Sequence, residues 1–388
     1  MKKLFGISIL STMLILGQPF MALADTAGSR VINFGDIESI IAEQNIDVQI
    51  NKNSSLKDKV DFSDLKKTIK DLEDDLEDIN NQRDQASSAQ AILLGPEKRS
   101  LLEALKQAER VAVDRPTLEA TIDLKNTMSD DSIIRSAEAL FIGYNQSNLG
   151  ISTISLNIES LQKKIAAMQL QESLGMVTHN NLNDLKTTLV NLNTQLESAK
   201  FQQDSLERQF KSLLNDQENT VVMGGIPTTN DDFLIEDQDA DLEKAQENSY
   251  GIRLQELQIT IQQATLDRAK KDKGVSSKQY KKANYDLTNA NLKLTQMKDT
   301  LKSSYYTMID NIAKIQSERR LAEQSLGDKK AALSEAQLRM SLGMISQLEM
   351  DEATTNYQLQ ENALKTKQID FFNAKCNYEW FLKGMPQS

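Results

Sequence analysis

The chain has 388 residues, with 45 Lys and Arg against 56 Asp and Glu, and its formal net charge of −11 excludes the basic footprint that nucleic-acid binding requires. Hydrophobic residues make up 39% but aromatics only 5%, and Gly and Pro number 15 and 5, a composition suited to long helices with narrow apolar seams. A single cysteine, Cys376, excludes an intramolecular disulfide and a cysteine-based metal site.

The N-terminus reads as an address. Lys2 and Lys3 precede a largely apolar stretch from Leu4 to Leu16, and Ala22-Leu23-Ala24 places small residues where a signal peptidase reads them. Residues 1–24 are therefore expected to be a secretory signal peptide, with Asp25 as the first mature residue. The alternative, an uncleaved anchor, has the short apolar core and Pro19 against it. No cysteine follows for lipoprotein processing, and no later stretch approaches the roughly 18 apolar residues of a spanning helix.

Heptad spacing follows along the chain. Phe62, Leu65, Ile69, Leu72, Leu76 and Ile79 alternate steps of three and four, as do Ile151, Ile154, Ile158, Leu161, Ile165 and Met168. A third run takes Leu185, Leu189, Leu192, Leu196, Ala199, Gln203, Leu206, Phe210 and Leu213. A fourth takes Tyr305, Met308, Ile312 and Ile315, then fades into Arg319, Ala322 and Leu326. This spacing places one apolar stripe on each helix and makes it pack lengthwise on another. The expected fold class is all-α, built of two tandem long helical hairpins.

Breaks punctuate these runs. Gly175 and Gly343 each stand where a helix turns back, since glycine takes the left-handed conformation that ends a helix. Gly95-Pro96 and Arg115-Pro116 are expected to cut residues 84–132 into shorter helical pieces, read as an insertion. Gly274 with Ser276 and Ser277 marks a tight turn. The domain division is a first helical unit over 25–222, an acidic linker over 223–241 and a second unit over 242–384.

The two glycine turns match. Leu170 to Thr178 aligns with Leu338 to Ser346 at an offset of 168, and the register holds to Leu214 and Leu382 without a gap. Upstream, Glu43-Gln44-Asn45 resembles Gln246-Glu247-Asn248 at an offset of 203, so the first unit carries about 35 extra residues. From Ile133 to Leu174, continuous helix would extend roughly 60 Å.

Little points to chemistry. His179, the only histidine, has Gln347 at the matching position. The acidic run from Asp71 to Asp78 lacks the glycine and spacing of a calcium loop and flanks Leu72, Leu76 and Ile79 as a solvated face. Phe371, Phe372, Tyr378 and Trp380 read as packing residues. No phosphate loop, nucleophile motif or redox pair is present, so no catalytic residue, metal or cofactor is assigned and the chain reads as a non-enzyme.

The duplicated unit, the opening from Ile32 to Ile50 and the repeated Ser-Leu-Gly-Met turn together resemble the TolC-like outer-membrane efflux proteins over essentially the whole mature chain. The resemblance implies that three subunits form a twelve-helix tube. It also implies that the tube docks on a periplasmic-type adaptor and an inner-membrane ABC or RND pump. By position, the adaptor-contacting tips are Leu174, Gly175 and Met176, and Leu342, Gly343 and Met344. The alternative is that the leucines only close the hairpin core. Carboxylates six and nine residues beyond the tip glycine imply an acidic constriction at Glu349 and Glu352, with Asp351 beside them and Asp184 in the first unit, where Asn181 takes the other place. Solvated charge on a helix face is the competing reading. Met340 and Ile345 stand where the family's gating tyrosine and arginine are found. The family's strand pairs between outward and return helices are missing, so the expected architecture is a TolC-like α-barrel without the membrane β-barrel. An exported coiled-coil scaffold without transport is the alternative function.

Overall fold

A computed structural model describes residues 30–176, 179–216, 221–227 and 232–385. Residues 1–24, expected to be the export signal, lie outside these, as do Val177 and Thr178 of the first turn.

A strand, β1 (Arg30–Ile32), leads through a 3-10 turn (Phe34–Asp36) into α1 (Ile37–Gln44). Asn45 then breaks the helix. Its side chain accepts from the Val48 N–H at the head of α2 (Ile46–Ser63) and donates to the Leu213 carbonyl at 2.7 Å. The chain continues through α3 (Leu65–Gln85) and the short α4 (Ser88–Leu93) into α5 (Gly95–Ser173), then α6 (His179–Leu213) and β2 (Val221–Met223). The two strands pair in parallel, Arg30 opposite Val221 and Ile32 opposite Met223. The remainder is α7 (Gln238–Asn248), α8 (Tyr250–Lys273), α9 (Lys278–Ser341) and α10 (Gln347–Leu382). The α7–α8 break repeats the α1–α2 break: Asn248 donates to the Leu382 carbonyl at 2.8 Å and Ser249 caps α8.

The fold is all-α, two long helical hairpins in tandem, and the heptad stripes form its seams. Phe62, Leu65, Ile69, Leu72 and Leu76 are half-buried and Ile79 is buried, where α2 and α3 lie along α5. The fourth stripe does not fade at Arg319 as the sequence suggested. Arg319 is only 1% exposed, with its guanidinium 5.1 Å from the Phe371 ring centre and 2.9 Å from Asp232. A long apolar stem and a stacked, ion-paired head let arginine occupy a seam position.

Residues 84–132 also depart from expectation. No break falls at Pro116. Instead α5 runs unbroken for 79 residues, about 120 Å, with Pro96 in its first turn and Pro116 inside it. Proline at the start fills a position whose N–H has no helical partner, and at Pro116 one internal hydrogen bond is lost. Arg115 compensates nearby. It donates to Glu119 at 2.8 Å and to the Phe62 carbonyl at 3.0 Å, beside the α2–α3 break, so two irregular points are tied together. The extra length of the first unit is therefore a longer hairpin rather than a separate insertion: α5 has 79 residues against 64 in α9, and α2 with α3 outruns the 24-residue α8.

α8 lies along α5 in the opposite direction. Tyr250 donates to Asp131, Arg268 pairs with Asp114 at 2.8 Å, and Asp272 takes Lys106 at 2.9 Å together with Arg110. Since α8 ends at Lys273, the part of α5 before about Lys106 projects past the second hairpin.

Two cores sit at the waist. The first gathers Ile32, Ile37, Ile41, Ala137, Phe141, Phe210 and Trp380. The second gathers Leu242, Ile252, Tyr305, Met308, Phe371, Tyr378 and Phe381. The acidic linker is docked rather than solvated at its described end: Asp232 pairs with Arg319 and Arg320, and Phe233 meets the Tyr378 ring edge-on with centroids 5.3 Å apart.

Phe141→Ala, which empties a fully buried site between Phe34 and Phe210, is expected to cost about 3–5 kcal/mol in denaturant unfolding. Phe201→Ala, on an exposed face of α6, is expected to change stability by less than about 0.5 kcal/mol.

Candidate functional site

Both glycine turns are built from the same bonds. At the end of α5, Gly175 donates to the Glu172 carbonyl and Met176 to the Gln171 carbonyl, each at 2.9 Å. At the end of α9, Gly343 donates to the Met340 carbonyl at 2.9 Å and Met344 to the Arg339 carbonyl at 2.8 Å. Ser173 and Ser341 each close the last turn by donating to the leucine carbonyl three residues back, at 2.7 Å. These are Schellman caps, which need a left-handed residue after the helix. Gly175 and Gly343 supply it, with φ of 73° and 68°.

The side chains around these caps are not folded back into the hairpins. Leu174 and Met176 are 67% and 70% exposed, and Leu342 and Met344 both 64%. Leu170 and Leu338, one turn earlier, are exposed as well. Each tip thus presents apolar surface that this chain alone leaves in water, and flexible methionine beside leucine makes that surface adaptable. The reading in which the leucines merely close the hairpin core does not describe these positions in the single chain.

The four acidic residues fall into different roles. Glu349 belongs to a capping box at the start of α10: Ser346 accepts from the Glu349 N–H, and the Glu349 carboxylate accepts from the Ser346 N–H at 2.7 Å and from its hydroxyl at 2.9 Å. These hydrogen bonds hold the Glu349 carboxyl below its ordinary value. Its carboxylate thereby caps the start of α10, a bond the sequence reading did not identify. Asp351 accepts from Gln347 at 3.1 Å and lies 3.7 Å from Lys163 of α5, so it bridges the two hairpins. Glu352 stands exposed on α10, and Asp184 exposed on α6. His179 closes the first tip, its Nδ1 2.7 Å from Glu172 Oε1. Among the described residues no group of three or more His, Cys, Asp or Glu could hold a metal ion, and no helix is long and apolar enough to cross a membrane.

A polar cluster at the waist escaped the sequence reading. Trp380 donates to Glu138 and Tyr250 to Asp131, and burial raises both carboxyls above their ordinary range. Beside them burial pushes the Cys376 thiol up to about 12, so the cysteine is an inert packing residue at neutral pH. The sole tryptophan was the available signal, because a buried indole N–H seeks an acceptor.

No family model matches the sequence, and no curated protein matches it. Solved structures do resemble the fold. The outer-membrane channel OprN superposes with a TM-score of 0.60 over 90% of each chain at 10% identity. CusC, whose structures concern folding and transmembrane channel formation, gives 0.54 at 10% identity over 91% of this chain and 95% of its own. The outer-membrane channel CmeC of Campylobacter jejuni gives 0.54 at 11% identity over 72% and 68%. The chain therefore has the fold of the TolC-like outer-membrane channels. Among the described residues no barrel is present: the links between α3 and α5 and between α8 and α9 hold a short helix and a tight turn in place of strands.

Gly175→Ala and Gly343→Ala are each expected to cost about 1 kcal/mol, because an alanine must adopt the left-handed conformation. The loss is read as faster hydrogen exchange confined to the two tips. For Glu349 the sign follows from its lowered value. Its capping contribution is complete above the ordinary glutamate value of 4.5 and fades as pH falls through the lower folded value, so the protection factor at Met350, taken relative to intrinsic exchange at each pH, should fall on acidification. Glu349→Gln should flatten that pH dependence.

Proposed function

We propose that the chain is an exported duct component of an efflux or secretion system. In this reading three copies close into a helical tube, and the glycine tips dock on a periplasmic-type adaptor that leads to an inner-membrane ABC or RND pump. The observation that supports it most is the superposition with OprN over nine-tenths of both chains. The two tips add to it, because their caps are the same and both leave leucine and methionine bare.

The division into a unit over 25–222, a linker over 223–241 and a unit over 242–384 fits this reading, with each unit contributing one tip. Export by residues 1–24 would deliver the chain to the cell envelope, in keeping with neighbours that are outer-membrane channels. Those neighbours are channels rather than enzymes, and we read this chain as a non-enzyme working without a cofactor. Glu349, Glu352, Asp351 and Asp184 are the carboxylates proposed for an acidic constriction, repeated around a threefold axis.

A second reading, an exported coiled-coil scaffold that conducts nothing, is favoured by one observation: helical links stand where strands would build a barrel.

Light scattering and negative-stain electron microscopy of residues 25–388 discriminate the two. The duct reading expects a hollow rod with about three times the mass of one mature chain, given 43.6 kDa for the full chain. Leu174→Ser with Leu342→Ser should keep that mass and lose adaptor binding. A monomer, or a solid antiparallel dimer that a candidate adaptor leaves unchanged, would contradict the duct and favour the scaffold.

A further inference from the structure

The helices form a layer with two free edges. On the tip side of the waist the order across it is α6, α5, α10 and α9, held by Phe210 against Phe141, Gln146 with Asp370, and Lys367 with Glu318. On the other side α2 and α3 lie on α5, then α8 and α9 follow. α2 stands end to end on α6 through the Asn45–Leu213 bond, and α9 runs the full height, so each edge is close to one continuous rod.

Both edges carry a second apolar stripe, turned away from the seam. On α6 it is Val190 and Phe201, the latter 72% exposed, and Ile46 and Val60 of α2 continue the line beyond the waist. On α9 it is Tyr285, Leu292, Tyr306 and Leu321, the last 63% exposed. Spacing close to whole multiples of seven keeps these four on one face. A helix that is apolar on two faces calls for neighbours on both, and here one side is bare.

The two edges also match in height. α5 and α6 fold back at Gly175, which sets Phe201 level with Gly150. Nearby Ser152 accepts from Asn362 at 3.0 Å, and Gln360 donates to the Ala322 carbonyl at 3.4 Å, beside Leu321. Phe201 and Leu321 thus stand at one height to within about a turn, ~5 Å. The same path leads from Lys186 through Lys163 and Asp351 to Glu335.

Charges around this apolar pair run in opposite senses. From the tip upward α6 presents Asp184, Lys186, Asp204 and Arg208, while α9 presents Arg339, Glu335, Lys314 and Asp310. Each acid on one edge therefore faces the height of a base on the other. Glu197 and Asp328 are the acids of these two faces without a base at their height. Lys314 and Arg339 lie 3.9 and 4.0 Å from Glu318 and Glu335 on their own helix, exposed pairs that contribute little and yield to a second partner.

We propose that the α2–α6 edge of one copy packs antiparallel along α9 of the next, with Phe201 against Leu321 and ion pairs of alternating sign above and below. Complementary surfaces on opposite sides of one chain make a head-to-tail contact, which closes into a ring when the rotation allows. The inference rests on the reading that copies stand side by side in a tube, and it names the surfaces that join them.

The test places Phe201→Cys and Leu321→Cys together in the full chain, where Cys376 is buried. A short bismaleimide cannot join the two within one chain, because they stand on opposite edges. The expected result on a denaturing gel is linked species of two and three chains, about tenfold more abundant than with either cysteine alone. Without cysteines, Asp204→Lys or Lys314→Asp should each lower the oligomer about tenfold at fixed concentration, and the two together should restore most of it. Circular dichroism checks that every variant folds. A threefold mass without the double-cysteine product would overturn the inference and leave the duct standing. Equal product from Phe201→Cys alone would also overturn it, because α6 then meets α6 in a symmetric pair. A ladder that runs past three chains without limit would uphold this contact and refute the closed duct. A monomer at every concentration would refute both.

Discussion

Helices about 100 Å long cannot be held in register by seams alone, because each seam buries a single stripe and sliding by one heptad nearly restores it. The register of this molecule is set at the waist, where α10 packs on both cores at once. Trp380 faces the first core, while Phe371, Tyr378 and Phe381 face the second. Directional bonds fix what apolar packing leaves free. Trp380 donates to Glu138 on α5, Tyr378 to Asp241 on α7, and Tyr250 to Asp131 on α5, each joining elements that heptad spacing could not align. Buried polar contacts of this kind are costly when incomplete, and so they select one register over its neighbours.

From this waist the hairpins run outward in both directions with different ends. Toward one side, the α5 and α9 caps finish in the same Schellman geometry, with bare leucine and methionine. Toward the other, the two hairpins differ in length, and only the longer one carries α4. The waist transmits position to both ends without contributing to either surface. A change in register there would displace tips and opposite ends together by about 10 Å per heptad. Asp351 with Lys163, and Asp272 with Lys106 and Arg110, brace the first hairpin against the second away from the waist.

Much of this fold was legible in the sequence because period and glycine placement are local signals. The stripe from Phe62 to Ile79 and the left-handed turns at Gly175 and Gly343 needed only spacing and the chemistry of a residue without a Cβ. What was hidden depended on partners distant in sequence. Pro116 reads locally as a break, yet α5 passes through it while Arg115 ties the same turn to Phe62. Arg319 reads as the end of a stripe, yet Asp232 and the Phe371 face make it a seam residue. Glu349 reads as a ring carboxylate by position, and the capping box it forms with Ser346, a pattern of residues three apart, went unread. The resemblance to TolC-like proteins reached the architecture, and the solved channels carry that likeness at 10–11% identity, where fold is shared and side-chain roles are not.

The most direct measurement of the waist's role is hydrogen exchange across the whole chain, before and after Trp380→Ala. With register set at the waist, the strongest protection lies around Ala137 and Phe141, around Tyr305 and Ile312, and from Phe371 to Phe381. The substitution then loosens both hairpins together, out to the tips. Loosening restricted to the first core, with α8 and α9 unchanged, would contradict the account and leave the two hairpins as independent units.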